Sequence, residues 1–347
     1  MSSNGTSAAP GKILVYGAGS VGCYVGGRLQ VAGASVTFVG RRRLADEIAT
    51  EGMYLTGIDG AWDYIGPEKV DFRTDLDGVG PVDLVLVCVK SGATADAAAV
   101  LAPTLAPDTP VISLQNGLGN VAELRARLPQ AVVLPGMVMF NVVVRGPGWW
   151  HQGTSGSIDV AAHPALDGCH ELFEHSGLRW QQQSDIESIQ WAKLLLNLNN
   201  PVNALSGLPL LEELRIRDFR RCLALAQAEA LDAMDRAGIA PAKLTAVPPR
   251  LMCRALALPN AVFTRIARSI VNVDPLARSS MLDDLDAGRR TEIDWLSGEI
   301  VRLAERHGGA APVNARLVEL VRAAENGGRR DWPAGELLAA LRAARAG

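Results

Sequence analysis

The chain has 347 residues, 48% of them hydrophobic and 20% charged, enough apolar content for two buried cores and too much for a largely disordered chain. Its 34 basic and 37 acidic residues are interspersed and leave a net charge of −3, without the electrostatic footprint of a nucleic-acid or anionic-membrane binder. The longest apolar runs, such as Val82 to Val89, fall well short of the roughly 20 residues that span a bilayer, and MSSNGTSAAPGK has no apolar signal core, so a cytoplasmic protein is expected.

Residues 1 to 10 read as a flexible arm. Lys12 to Tyr16 is a short apolar strand, followed by a Gly-rich turn, a helix to Ala32, and a second strand at Ser35 to Val39. Further strands are expected at Val82 to Val89, Pro110 to Leu114 and Val132 to Met139, joined by helices starting near Ala93 and Leu118. This alternation is the pattern of a mostly parallel sheet covered on both faces, and the unbroken apolar run at Val82 suits a doubly buried strand. Val143 to Val160, with Gly146, Pro147 and Gly148, reads as an antiparallel extension of that sheet, with Trp149 and Trp150 as sheet cover and His151 structural. After a strand-like segment around Trp180 the helical period takes over: Ile186 to Asn199, Glu213 to Ala237, Pro248 to Ile270, Thr291 to His307, Asn314 to Ala324, and a loosely attached helix from Ala334. The expected fold is an α/β Rossmann-type dinucleotide-binding domain over residues 11–183 and an all-α substrate and catalytic domain over 184–347.

Five widely spaced cysteines, an odd number, give no disulfide framework or metal pair, and the five histidines lack zinc spacing. No metal is expected. The strand–turn–helix context turns Gly17-Ala18-Gly19-Ser20-Val21-Gly22 into a dinucleotide motif: Gly17 for the tight turn, Gly19 for approach of the pyrophosphate, Gly22 for close packing, with the free N–H groups of the helix start on the phosphates. At the end of the second strand, where an acid would accept from a ribose 2′-hydroxyl, stand Arg41, Arg42 and Arg43 instead. Guanidiniums pair with a 2′-phosphate, so NADP(H) is the expected cofactor. A solvated helix start is the weaker alternative for these arginines, because cations are disfavoured there.

In the second domain Lys193 and Asn197 stand at i, i+4 on one helix face, followed by Asn199, Asn200 and Pro201. Asparagines are poor helix-interior residues, which points to a polar working face. Together with Val89-Lys90, Leu114-Gln115-Asn116-Gly117, Ser279-Ser280-Met281 and Arg290-Thr291-Glu292-Ile293-Asp294, taken in this order over roughly residues 12 to 316, these motifs resemble the ketopantoate reductase (2-dehydropantoate 2-reductase) family.

The resemblance implies NADPH-dependent reduction of a 2-oxo acid to a D-2-hydroxy acid, above all 2-dehydropantoate to (R)-pantoate, in a cleft between the two domains. It places the proton donor on Lys193 and the essential carboxylate on Glu292. It places substrate contacts on Asn116, Asn197, Asn200 and Ser280. Cofactor contacts fall on Gly17, Ala18, Gly19, Ser20, Val21, Gly22, Arg41, Lys90 and Asn116. The family pattern has asparagines four and eight residues after the lysine, whereas position 201 here is Pro and Asn200 precedes it. Three other readings stand beside this one: a reductase of another bulky 2-oxo acid; a non-catalytic NADP-binding regulator, which would not need Lys193 and Glu292; and an opine or β-hydroxyacid dehydrogenase, which Arg290-Thr291-Glu292 disfavours. The expected partner is a small-molecule 2-oxo acid, without nucleic acid or membrane, and a homodimer is left open.

Overall fold

The computed structural model describes residues 10–244, 247–267 and 277–346. The arm expected over residues 1 to 10 falls almost entirely outside them, as does the end of the helix expected to reach Ile270. The chain divides into two compact units, Met1–Ile186 and Glu187–Gly347.

The first unit is built on an eight-stranded sheet in which β1 (Lys12–Tyr16), β2 (Ser35–Val39), β5 (Asp71–Arg73), β6 (Leu84–Val87), β7 (Pro110–Ser113) and β8 (Val132–Val138) pair in parallel in the order β8-β7-β6-β1-β2-β5. Beyond β8 lie β11 (Ile158–Ala161), antiparallel to it, and then β12 (Trp180–Gln183). Both faces are apolar. Ile13, Val15, Leu86 and Ile112 pack on one side with α1 (Ser20–Val31), while Leu14, Val85, Val87 and Val111 pack on the other with α3 (Thr94–Leu101) and α4 (Asn120–Arg127). That two-sided burial is why these strands read as continuous apolar runs.

Two parts of the reading change here. Residues after β2 form α2 (Arg42–Glu51) and the strands β3 (Met53–Gly57) and β4 (Trp62–Ile65). The hairpin of β9 (Val142–Gly146) and β10 (Trp149–Gln152) does not extend the main sheet but joins a second sheet, ordered β4-β3-β10-β9, and of that expected extension only β11 lies in the first sheet, where it and β12 run opposite to the other six strands. The alternation of the hairpin explains the difference. Trp150 is 1% exposed and Trp149 37%, so one face alone is buried. His151 is buried, its Nδ1 2.8 Å from Thr56 Oγ1, which also accepts from Trp149 Nε1 at 2.9 Å, tying β10 to β3. The unit also holds α5 (Cys169–His175).

The second unit is helical, with α6 (Ile186–Asn197), which starts at the last residue of the first unit, then α7 (Asn199–Ser206), α8 (Leu210–Arg215), α9 (Arg217–Ala237), α10 (Pro249–Leu256), α11 (Asn260–Ala267), α12 (Ser280–Asp286), α13 (Ser297–Arg306), α14 (Pro312–Glu325) and α15 (Ala334–Ala346). The helix expected from Glu213 to Ala237 breaks at Ile216, whose backbone is extended at φ −90° and ψ 113°. The buried guanidinium of Arg220 stabilises that break by donating to the carbonyls of Leu214 and Arg215 at the end of α8, and also to those of Leu256 and Leu258 at the end of α10. One cation thus satisfies the orphan carbonyls of two helix termini. The expectation of a loosely attached C-terminal helix fails for a simple reason: Leu337, Leu338 and Leu341 form a buried stripe, and α15 packs on α9 and α14. Among the described residues no helix is long and apolar enough to cross a membrane.

Candidate active site

Because β1, β2, β6 and β7 run parallel, the segments that follow them emerge at one sheet edge, and these segments carry the glycine motif, Arg41, Lys90 and Asn116. The chain leaves β1 toward β2 and returns on the other side at β6, so the β1–β6 boundary is the topological switch where open α/β sheets bind ligands. Gly17 has a φ of 99°, and a Cβ there would lie 2.4 Å from Val89 N. A Cβ on Gly22 would lie 2.6 Å from the Gly17 carbonyl, whereas Gly19 has nothing within 4 Å and faces open space. Gly19 caps α1, and no acidic residue occupies the first turn through Ser20, Val21 and Gly22. The three glycines therefore have three different reasons to be glycine, and Ala18 N shares the Val39 carbonyl with Gly17 N at 2.9 Å each.

The arginines separate by partner. Arg42 and Arg43 occupy the first turn of α2 and pair with Asp46 and Glu47 one turn on, so for these two the solvated helix start is the observed state. The i, i+4 pairs offset the unfavourable helix dipole. Arg41 caps the helix, is exposed and has no ion pair among the described residues. Lys90 is half-buried at the start of a short 3-10 turn, Ser91–Ala93.

Beneath Lys90 and Asn116 lies a buried polar network for which the motifs alone gave no sign. Ser91 Oγ and Asn120 Nδ2 both donate to the Asn116 carbonyl, at 2.6 and 2.7 Å. Thr94 Oγ1 lies 2.9 Å from Asn120 Oδ1, and Gln115 Nε2 donates to Thr94 Oγ1 at 2.8 Å. The available sign was the run of short polar residues in Ser91-Gly-Ala-Thr94 and Gln115-Asn116-Gly-Leu-Gly-Asn120, too polar for the buried positions they take.

In the second unit Lys193 and Asn197 stand one turn apart on α6 and are half-buried. Lys193 has no ion pair or side-chain hydrogen bond among the described residues, and burial pulls its ammonium from 10.5 down to about 8. The helix stops at Asn197 because Pro201 has no N–H to return to that carbonyl, and α7 starts afresh at Asn199 with Pro201 in its first turn. This restart places Asn200 on a different helix from Asn197 and accounts for the shortened spacing. Asn200 meets the Ser279–Ser280 turn: Ser279 Oγ lies 3.5 Å from the Asn200 carbonyl, and Ser280 opens α12 with an exposed side chain. Glu292 begins a 3-10 turn, Ile293–Trp295, anchored by Thr291, whose N–H and hydroxyl both donate to Glu325 of α14 at 2.7 Å. That turn and α7 both pack on α14, and α12 packs on α7.

Residues 13–165 match the family model described as "Ketopantoate reductase PanE/ApbA", and residues 185–325 match its C-terminal counterpart. The chain belongs to the ketopantoate reductase family. It is thus an oxidoreductase of the class that acts on CH–OH groups. It is 28% identical to a 2-dehydropantoate 2-reductase of Pyrococcus horikoshii, over 91% of this chain and 98% of that one. It is 29% identical to one of Mycobacterium tuberculosis with the same coverage. A solved structure of a PanE/ApbA family ketopantoate reductase from Ralstonia eutropha JMP134 is 30% identical, with a TM-score of 0.77 over 91% of this chain and 99% of that chain. Both family models are therefore matched, in order along the chain.

Proposed function

We propose that the protein reduces 2-dehydropantoate to (R)-pantoate with NADPH. The observation that carries this reading is Lys193: an ammonium without a counter-ion among the described residues, lowered to about 8 by burial, is protonated at neutral pH and gives up its proton readily. The relatives named 2-dehydropantoate 2-reductase support the substrate.

The glycine loop fits a nicotinamide dinucleotide. Space stands open at Gly19, the first turn of α1 carries no acid to repel phosphate, and the exposed guanidinium of Arg41 is available to a 2′-phosphate. When bound, the dinucleotide supplies the hydride. Lys90 would lie by the cofactor, and Asn116 would bridge cofactor and substrate, its backbone fixed by Ser91 and Asn120. Lys193 Nζ donates a proton to the ketone oxygen as C2 receives the hydride, so the product is a neutral hydroxyl and no alkoxide is left in the site. Glu292 orients Lys193 or a substrate hydroxyl. Ser280 donates to the substrate carboxylate, and Asn197 and Asn200 line the substrate.

The test is NADPH oxidation against a panel of 2-oxo acids. Fastest turnover is expected with 2-dehydropantoate. Faster turnover with a bulkier 2-oxo acid would reassign the substrate, and silence across the panel would overturn the reading.

A further inference from the structure

Glu213 of α8 is fully buried, yet no cation pairs with it among the described residues. Its Oε2 accepts from Asn203 Nδ2 at 2.7 Å and from Asn199 Nδ2 at 3.3 Å, while its Oε1 and the Oδ1 of Asn199 receive no donor among the described residues. Asn203 is also completely buried; its Nδ2 donates as well to the Leu208 carbonyl at 2.9 Å, and its Oδ1 accepts from Ser279 N at 3.0 Å, 76 residues further along the chain. Ser279 in turn caps α12 by accepting from Leu282 N at 3.1 Å and reaches the Asn200 carbonyl. A single carboxyl thus holds one end of a relay that ends on the two segments bearing Asn200 and Ser280.

We propose that Glu213 is a positioning residue, which through Asn199 and Asn203 fixes the Asn199–Asn200 and Ser279–Ser280 segments so that Asn200 and Ser280 meet the substrate together. This rests on the substrate-binding reading of those two residues given above. The arrangement suits an uncharged acid. A carboxylate without a cation is costly at zero exposure, burial raises this group from 4.5 to about 8, and the oxygen without a donor is the one able to carry the proton. An uncharged acid can be replaced by its amide. The carboxyl touches neither substrate nor cofactor in this account, and its effect on turnover passes entirely through the asparagines.

The experiment compares Glu213→Gln, Glu213→Leu and Asn203→Ala in the full-length protein. Steady-state kinetics are read beside melting temperature and amide hydrogen exchange of the segment from 277 to 285. Glu213→Gln should keep KM and exchange within about twofold of the parent, because the amide preserves the acceptor and supplies a donor. Glu213→Leu should raise KM for the 2-oxo acid about tenfold with kcat within about threefold, and speed exchange of 277–285 about tenfold, since a buried hydrogen-bond link is lost. If Glu213→Leu does not fold, Asn203→Ala, which leaves the carboxyl bonded to Asn199 and removes the links of Asn203 to Glu213, Leu208 and Ser279, should give the same two changes. A folded Leu or Ala variant with unchanged KM and unchanged exchange overturns the proposal, as does a Gln variant as impaired as Leu. Should the parent reduce no 2-oxo acid, the functional reading fails on its own, and exchange at 277–285 still decides whether Glu213 fixes that turn.

Discussion

The turn after β1, with Gly17 to Gly22, and the junction of α6 and α7, with Asn197 and Asn200, each carry part of the proposed site, and they are specified in opposite ways. At the first, the proposed contacts are made by backbone, so the constraints are local: a positive φ at Gly17, a Cβ-free approach to Val89 and to the Gly17 carbonyl, and a helix start without acid. At the second, the proposed contacts are made by side chains, and what fixes them is remote: Asn203 joins Glu213, ten residues on, to Ser279, 76 residues on. Sites made of backbone leave a short signature in the chain, whereas sites made of relayed side chains leave scattered polar residues with no common spacing.

The largest expected effect lies in the second region. Lys193→Ala should lower kcat about a hundredfold or more, the usual scale for a lost general acid, with little change in NADPH affinity. Near-normal turnover would make Lys193 an ordinary helical lysine and remove the chemistry from this region. Gly17→Ala tests the other side of the comparison. Strain at φ 99° and a Cβ 2.4 Å from Val89 N should weaken NADPH binding by about thirtyfold, since such backbone conflicts cost on the order of 1–3 kcal/mol. Titration of the purified variant measures this, and unchanged affinity would mean that the loop does not touch the dinucleotide.

That asymmetry also separates what the residues disclosed from what they concealed. The strands β1 and β2, the glycine loop and the helical character of the second unit follow from periodicity and turn chemistry. The place of the hairpin Val142–Gly146 and Trp149–Gln152 in the second sheet is not legible in the sequence, because alternation says that one face is buried but not against which strand. The break at Ile216 was hidden because it depends on Arg220 reaching carbonyls of two helices. Asn199 and Asn200 stood out as polar residues on an apolar background, yet Glu213 did not, since an acid in Leu-Leu-Glu-Glu-Leu looks like a solvated helix face. Only burial distinguishes Glu213, fully buried, from exposed Glu212 beside it.

A smaller effect sharpens the reading of the first region. If Arg41, rather than the paired Arg42 and Arg43, meets the 2′-phosphate, Arg41→Ala should weaken NADPH binding about tenfold and leave NADH binding unchanged, as loss of one charge-assisted pair costs about 1.5–3 kcal/mol. Parallel titrations of both cofactors with Arg41→Ala and Arg42→Ala distinguish the two. An equal loss for both cofactors would place Arg41 away from the phosphate.

The expected effect furthest from turnover is thermodynamic and sets two groups of the second unit, both shifted by burial, against each other. Burial raises Glu213 from 4.5 to about 8 and lowers Lys193 from 10.5 to about 8, so one cause moves an acid and a base to the same place. Between pH 4.5 and 8 the folded protein holds a proton on Glu213 that the unfolded chain releases. Its contribution is therefore full below pH 4.5 and is lost as pH rises toward 8. Between pH 8 and 10.5 it is the unfolded chain that holds a proton on Lys193, so the penalty for burying this lysine is constant below pH 8 and fades above it. The two windows meet near pH 8, where together they favour the folded state least. Other groups titrate alike in the parent and in Glu213→Gln, so the difference between their melting curves isolates the acid. From pH 5 to 8 the parent should lose on the order of 10 °C relative to Glu213→Gln, given about 1.4 kcal/mol per pH unit between the two pKa values and about 2–4 °C per kcal/mol for units of this size. Lys193→Met should instead diverge from the parent only above pH 8. Parallel melting curves for the parent and Glu213→Gln across pH 5 to 8 would mean that Glu213 is ionised in the folded protein and that Asn199 and Asn203 hold a carboxylate.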